Sequence, residues 1–535
     1  MSSADILPPP SKTRYLTVPD TAAKKDSLKQ YSVDEVKQHN KEDDLWIIID
    51  SAVYDLSKFV DLHPGGAHVL LQVAGQDATE AFFGMHRSDV LTKYGRYMIG
   101  TVSGQKATHV LPTPGTLSPV PYAEPMWLSE GYKSPYYNDS HRRLQKFIRN
   151  FNDEFVRPDA QMHELDGKRP TPELIRKMGD LKINHMRMGP CKVLHGLDLP
   201  GGIKGEDFDY FHELVITQEF SRCGARGYMD GFQGGMVIGL PPVMNFGSEK
   251  LKKEIIPEVL AGRKWISLAV TEAFAGSDVA GLRTTATKTA DGKHYIIRGT
   301  KKWITNGHFS DYFSVAVNTG NGLSMILVPR GEGVETKLIK TSYSTTAGTA
   351  YITFDNVKVP VENLLGQEGK GLFVVLSNFN HERWTMCCGS IAGSRMIAEE
   401  CFKWIHQRKA FGKPLVDLAV LRAKMANMFA RIEALQAWLE NITYQMCHLN
   451  YAQQADLLAG QIGLLKQQCT RVAGEVADDA TQIFGGRGLT QSGMGIFIER
   501  FQRTQKFDAL LGGAEEVLAD LGVRQASRKM PKAVL

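Results

Sequence analysis

The sequence predicts a multidomain α+β protein, with a small mixed unit ahead of a larger body ordered helical, β, helical. Three observations predict it. From 138 to 265 apolar residues recur at helical spacing, from 266 to 367 they alternate as in strands, and from 368 to 525 long helical runs return. Ahead of these, residues 28–103 mix strand-like and helical segments in a compact stretch. Between unit and body, residues 104–137 concentrate Pro112, Pro114, Pro119, Pro121, Pro125 and Pro135, which reads as a semi-stiff linker on which the small unit can swing.

Bulk properties exclude several classes. The 535 residues are 43% hydrophobic and 23% charged, an ordinary globular composition long enough for several domains. The net charge of +5 and the absence of long Lys/Arg runs give no reason to expect nucleic acid. No apolar run is long enough to span a membrane. The seven cysteines are odd in number, scattered, and never spaced as Cys-x-x-Cys, so a reducing compartment is expected and a disulfide framework is not. Residues 1–27 are Pro-, Ser- and Lys-rich and expected to be disordered, with no apolar core for a targeting signal. The C-terminal Ala533-Val534-Leu535, in a basic tail over 526–535, resembles the Ser-Lys-Leu peroxisomal address only loosely. The expected location is cytoplasmic or peroxisomal.

In the small unit, Ser32 with Glu35 signals a capping box, and Leu45–Ile49 reads as a strand. His63-Pro-Gly-Gly66 places a histidine in a tight turn that leaves room for a flat ligand. His86 follows the aromatic pair Phe82-Phe83. A lone pair of histidines is more often a surface feature, but two neutral imidazoles across an apolar slot suit the axial positions of a haem iron. With the Trp46 strand, Tyr54-Asp55 and Asp77-Ala-Thr-Glu-Ala-Phe82, this stretch resembles a cytochrome b5 domain. The resemblance implies haem b, with His63 and His86 as the metal ligands.

In the body, helices are expected around 141–148, 173–178, 210–220 and 250–260, and strands around 295–298, 312–317, 324–328 and 351–354. A long helix is expected from Leu376 through Ile405, with Leu376, Phe379, Cys387, Ile391, Ala398, Phe402 and Ile405 as its buried stripe. Glu382 lies on another face, in line with Gly389 and Gly393. The residues alone leave two readings of Glu382: a solvated or Arg383-paired acid, or a base in a dry pocket.

Four further elements follow in order: Thr271-Glu-Ala-Phe-Ala-Gly-Ser-Asp278, Lys302-Trp-Ile-Thr-Asn-Gly307, Arg408-Lys-Ala-Phe-Gly-Lys-Pro-Leu415 and Gln482-Ile-Phe-Gly-Gly-Arg-Gly488. Each alone is a plain turn or loop, and the last lacks a Rossmann context. Together, on a helix–β–helix plan, they resemble the acyl-CoA dehydrogenase family over about 140–525. The resemblance implies FAD, an acyl-CoA substrate, a C-terminal four-helix bundle, and a homotetramer or homodimer. It implies that Thr271 and Ser277 line flavin and thioester, that Trp303, Ile304 and Thr305 hold the isoalloxazine, and that Arg408, Phe411, Gln482, Gly485 and Gly486 hold the adenine side of a neighbouring subunit's FAD. Arg383 would lie near the acyl-CoA. Many members carry their base just before a Gly-Thr-Ser motif near the C-terminus. Here that position is Gly512, and Ala514 and Glu515 stand where the Thr and Ser belong. Members of the long-chain and isovaleryl type instead carry a Glu where Glu382 stands, so the resemblance makes Glu382 the catalytic base and Gly512 a backbone donor to the thioester carbonyl. Glu515 and Glu516 are expected in helix-end or surface roles.

The expected activity is α,β-dehydrogenation of an acyl-CoA to the 2-enoyl-CoA, with electrons leaving through the fused haem module to an external carrier. An oxygen-using oxidase and a non-catalytic flavin- or acyl-CoA-binding scaffold are the alternatives. Gly234-Gly235 is a further candidate for shaping the acyl pocket.

Overall fold

The computed structural model describes residues 28–109 and 113–532. The expected disorder of residues 1–27 and the Ala-Val-Leu terminus lie outside the described residues. In the small unit, Ser32 caps a helix at Val33–Gln38 with Glu35 bonding back, so the capping box forms as the spacing predicts. A five-stranded sheet runs in the order Lys29–Tyr31, Met98–Val102, Ala52–Asp55, Asp44–Ile49, Asn40–Lys41. The first pair is parallel and the others antiparallel. Leu45, Ile47 and Ile49 pack from this sheet against Phe59, Leu70 and Phe83.

The body follows the helical, β, helical order. Its first part includes helices at Asp139–Phe151, Pro172–Asp180, Tyr210–Ser221 and Glu249–Leu260. An eight-stranded, mainly antiparallel sheet over 266–365 follows. Its longest strands, His294–Ile304 and Ala350–Pro360, pair antiparallel, with a register shift beside Gly299. The last part packs Phe379–Gln407, Ala419–His448 and Ala459–Phe484 as long helices around one core containing Trp384, Ile391, Leu439 and Leu465, and Glu515–Arg528 packs on Ala459–Phe484. All seven cysteines are free thiols. Among the described residues no helix is long and apolar enough to cross a membrane.

Two expectations fail. The helix predicted from Leu376 is two helices, Gly371–Leu376 and Phe379–Gln407, parted at Ser377-Asn378. Leu376 therefore leaves the buried stripe and is 50% exposed. The linker is not a free tether either. Trp127 stacks on Tyr137 at 4.0 Å, and Tyr122 stacks on Phe429 at 4.5 Å. Glu124 forms a buried two-point bond to Arg149, both contacts at 3.0 Å. Ring burial and a doubly bonded ion pair hold the segment where proline content alone suggests an extended spacer.

The small unit also touches the body directly. Arg87, next to His86, forms an ion pair with Glu400 of the Phe379 helix, and its guanidinium lies 4.5 Å over the Phe497 ring. Lys409 pairs with Glu80 at 2.7 Å, and Arg487 donates to Met85 Sδ at 3.1 Å.

Candidate active site

Glu382 occupies the first turn of the Phe379 helix and is buried, 8% exposed. The break before this helix is what orients it. Asn378 sits at the cap position but makes no cap bond. Its Nδ2 instead donates to Glu382 Oε1 at 3.0 Å and to the Val237 carbonyl at 3.3 Å. Burial drives the carboxyl pKa up to about 7, against opposing pulls from the Asn378 bond and from His381 and Arg383. A carboxylate so poised can take a proton near neutral pH.

Arg383 does not pair with Glu382. Its Nε donates to the Gly512 carbonyl at 2.8 Å. Lys466 Nζ holds the flanking carbonyls, Leu511 at 2.5 Å and Gly513 at 2.7 Å. The turn is thus pinned by its oxygens, and the Gly512 N–H donates to no described group. Gly512 has φ +63°, and a Cβ there would lie 2.9 Å from Met386 Sδ. A side chain at this position would have to displace Met386.

Glu382, Gly512 and Thr305 line one cavity of about 220 Å³. Its far wall is the 226–239 helical run, interrupted by a π turn at Asp230–Gly234. Gly234 lines it too, and a Cβ there would be 3.3 Å from Thr305 Cγ2. Gly389 and Gly393 also face this cavity. Ser221 and Phe501 side chains approach them, at 3.3 and 3.2 Å from the Cβ positions, so the glycines make room for the cavity and these side chains. Arg226 is held there by Asp230 and Asp508.

Of the predicted flavin residues, the structure brings Thr271 beside the Trp303 strand, where the Lys302 N–H donates to the Thr271 carbonyl at 2.9 Å. Ile304 is buried. Trp303 adopts φ +66° and stands 48% exposed, a large ring left available at the strand end. Ser277 is exposed, and neither it, Thr271 nor Trp303 lines the Glu382 cavity. Arg408, Phe411, Gln482, Gly485 and Gly486 gather at the other end of the bundle, where Trp404 stacks on Phe484 at 5.0 Å. Phe411 is 90% exposed, and Gln482, Gly485 and Gly486 are exposed, so this set faces outward instead of joining Glu382. Glu515 is not a surface acid: it is buried at the start of the last helix and pairs with Arg471 at 2.7 Å, while Glu516 is exposed.

In the small unit the His63 and His86 rings lie 6.0 Å apart, centre to centre. His63 Nδ1 is 3.3 Å from the Gly66 carbonyl and accepts from the Gly65 N–H at 3.2 Å, while His86 Nδ1 bonds the Phe82 carbonyl at 3.2 Å. No described partner takes either Nε2. Burial lowers the His86 pKa, which favours the neutral ring a metal ligand needs. A Cβ at residue 65 would be 2.8 Å from His63 Cε1, so glycine is needed for this ring placement. The two histidines fit a bis-imidazole haem.

Sequence reasoning missed Asn378, Lys466 and His381. The last pairs with buried Glu213 through Nε2 at 2.8 and 2.9 Å, and this carboxylate holds its pKa above the ordinary value despite burial. An amide four residues before a candidate base was the one available signal for Asn378.

The Acyl-CoA dehydrogenase N-terminal, middle and C-terminal domains match residues 138–263, 267–357 and 369–527. An acyl-CoA dehydrogenase, apdG, of Emericella nidulans is 40% identical over 419 residues, covering 76% of this chain and 95% of its own. The chain belongs to the acyl-CoA dehydrogenase family. This acyl-CoA dehydrogenase carries an added N-terminal module, since residues 32–103 match the Cytochrome b5-like Heme/Steroid binding domain. The mitochondrial isovaleryl-CoA dehydrogenase of Pongo abelii is 30% identical, covering 71% of this chain and 87% of its own. An acyl-CoA dehydrogenase from Bacillus anthracis, solved in complex with FAD, aligns with a TM-score of 0.67 and 26% identity, over 76% of this chain and 69% of that one. The protein is a flavin-dependent oxidoreductase with FAD and haem as its cofactors.

Proposed function

We propose that Glu382 removes the α-proton of an acyl-CoA thioester bound in the Glu382 cavity, giving the 2-enoyl-CoA. The observation that carries this is the meeting of three groups in one cavity: a buried carboxyl with a near-neutral pKa, the unengaged Gly512 N–H, and Thr305 at the end of the Trp303 strand. An α-proton of a thioester is only weakly acidic, so its removal needs both a base and stabilisation of the developing enolate oxygen. Glu382 Oε accepts the proton, with Asn378 holding Oε1. Gly512 N–H donates to the thioester carbonyl, and Arg383 and Lys466 keep that peptide aimed by holding the carbonyls of 511–513.

Bound FAD, held by Thr271, Ser277, Trp303, Ile304 and Thr305, supplies two-electron acceptance at the β-carbon. Bound haem b, on His63 and His86, supplies a one-electron relay toward an external carrier. The outward-facing Arg408, Phe411, Gln482, Gly485 and Gly486 complete the FAD site of a second copy, which makes the working form a homodimer or homotetramer. The location is cytoplasmic or peroxisomal. A panel of acyl-CoAs mixed anaerobically with the holoenzyme tests the reading by following flavin and haem absorbance together. Flavin bleaching followed by haem reduction is expected. A flavin that no acyl-CoA bleaches would refute the dehydrogenase reading, and a haem that stays oxidised after bleaching would refute the relay.

A further inference from the structure

Three arginines line the Glu382 cavity, and two have more than one partner, although Arg500 uses Nη1 alone. Arg226 is held by Asp230 and Asp508, and Arg500 donates to Gln161 at 2.9 Å and to the Gly224 carbonyl at 3.0 Å. Arg187 differs. It follows the short Ile183–Met186 helix and has a single hydrogen bond, from Nη1 to Thr217 Oγ1 at 2.7 Å. Its Nε is buried with no partner. No carboxylate oxygen among the described residues lies within 4.0 Å of it. The acid closest in the network, Glu213, has both oxygens on His381. Glu213 thus favours the Arg187 cation only through space, without touching it, and burial lowers the Arg187 pKa. A guanidinium presents five donors in a planar fork suited to a carboxylate, and leaving such a cation unpaired away from water is costly.

We propose that Arg187 is a specificity residue, and that the acyl group taken by this cavity bears a carboxylate of its own which Arg187 pairs. The neighbouring hydroxyls of Thr217 and Ser221 make this wall of the cavity polar, whereas Met386 and Val237 elsewhere suit methylenes. The inference rests on the dehydrogenase reading of Glu382 and adds the substrate class, a mono-CoA thioester of a dicarboxylic acid.

The test compares straight-chain acyl-CoAs of matched length, with and without an ω-carboxylate, on the FAD-loaded holoenzyme. The wild type is expected to favour the carboxylated member by about 100-fold in kcat/KM, as sites built to bond a polar group reject analogues lacking it. Arg187→Met should erase or reverse that ratio while retaining flavin. Arg187→Lys keeps the cation and should keep part of the preference, and it serves as the variant to measure should Arg187→Met not fold. Binding of the same pairs to Glu382→Gln repeats the comparison without turnover. A wild type that favours the plain chain, or a ratio unchanged in Arg187→Met, would overturn the proposal while leaving the dehydrogenase reading standing. Failure of every acyl-CoA to bleach the wild-type flavin, with the carboxylate preference still present in binding, would strike the dehydrogenase reading alone.

Discussion

Replacing Glu382 by Gln keeps the size of the side chain and the neighbouring Asn378 but removes the base. Loss of a positioned general base costs about 10²- to 10⁴-fold, or about 3–5 kcal/mol of barrier. The assay is anaerobic stopped-flow bleaching of the flavin by acyl-CoA across the neutral range. In the wild type the rate should rise with pH through about 7, because only the carboxylate accepts a proton. In the variant it should be slow and flat. Stability moves the other way. The folded-state pKa of about 7 exceeds the reference 4.5, so the native state binds the proton more tightly than the unfolded chain. Below about 4.5 both states are protonated and nothing is lost. As pH rises from there through about 7, burying the carboxylate comes to cost about 3 kcal/mol. Glu382→Gln should therefore melt higher than the wild type above pH 7, with the gap closing in acid. A variant bleaching within tenfold of wild type, or a wild-type rate flat through neutrality, would refute the assignment. A melting gap that widened toward acid would refute the burial argument.

Other outcomes follow from the same geometry. Asn378→Ala removes a bond that holds the Glu382 pKa down, so the midpoint of the bleaching profile should shift to higher pH, measured in the same assay. Gly512→Ala places a methyl at φ +63° against Met386 and should cost about 1–3 kcal/mol in thermal stability, with kcat falling about 10²-fold if the N–H leaves the carbonyl; both are read by melting and turnover. His63→Ala should abolish the haem Soret band in purified protein while flavin bleaching by acyl-CoA persists. Arg87→Ala removes one partner of a pair in which Glu400 is buried, and scattering in solution should show the small unit separated from the body. Adding back the opposite polarity, Arg87→Glu with Glu400→Arg, should restore the compact form.

The order of domains was legible because period changes in the sequence are physical: helix-spaced apolar residues gave helices at 139–151 and 210–221, and alternation gave the strands at 294–304 and 312–318. The His-Pro-Gly-Gly turn was equally legible, since only glycine at 65 admits the His63 ring. The helix break at Ser377-Asn378 was not. Its residues are compatible with a helix, and tertiary contacts decide: Asn378 bonds Val237 and Glu382, while Tyr451 Oη donates to the Ser377 carbonyl at 2.5 Å. The docked linker was hidden for a similar reason. Glu124 finds Arg149 and Tyr122 finds Phe429 across distances in sequence that no local pattern encodes. Arg187 carried no motif at all, and its interest lies in the partners it lacks.

The ion pair between Arg87 and Glu400 gives the Phe379 helix two ends with separate duties. From 382 to 400 the helix advances about 27 Å at 1.5 Å per residue. At one end sits the acid that meets the acyl chain, and at the other the anchorage beside a haem ligand. The cavity follows this helix from Glu382 to Met396, and Phe497 in its wall carries the Arg87 guanidinium, so one rigid rod joins the acyl site to the footing of the haem module.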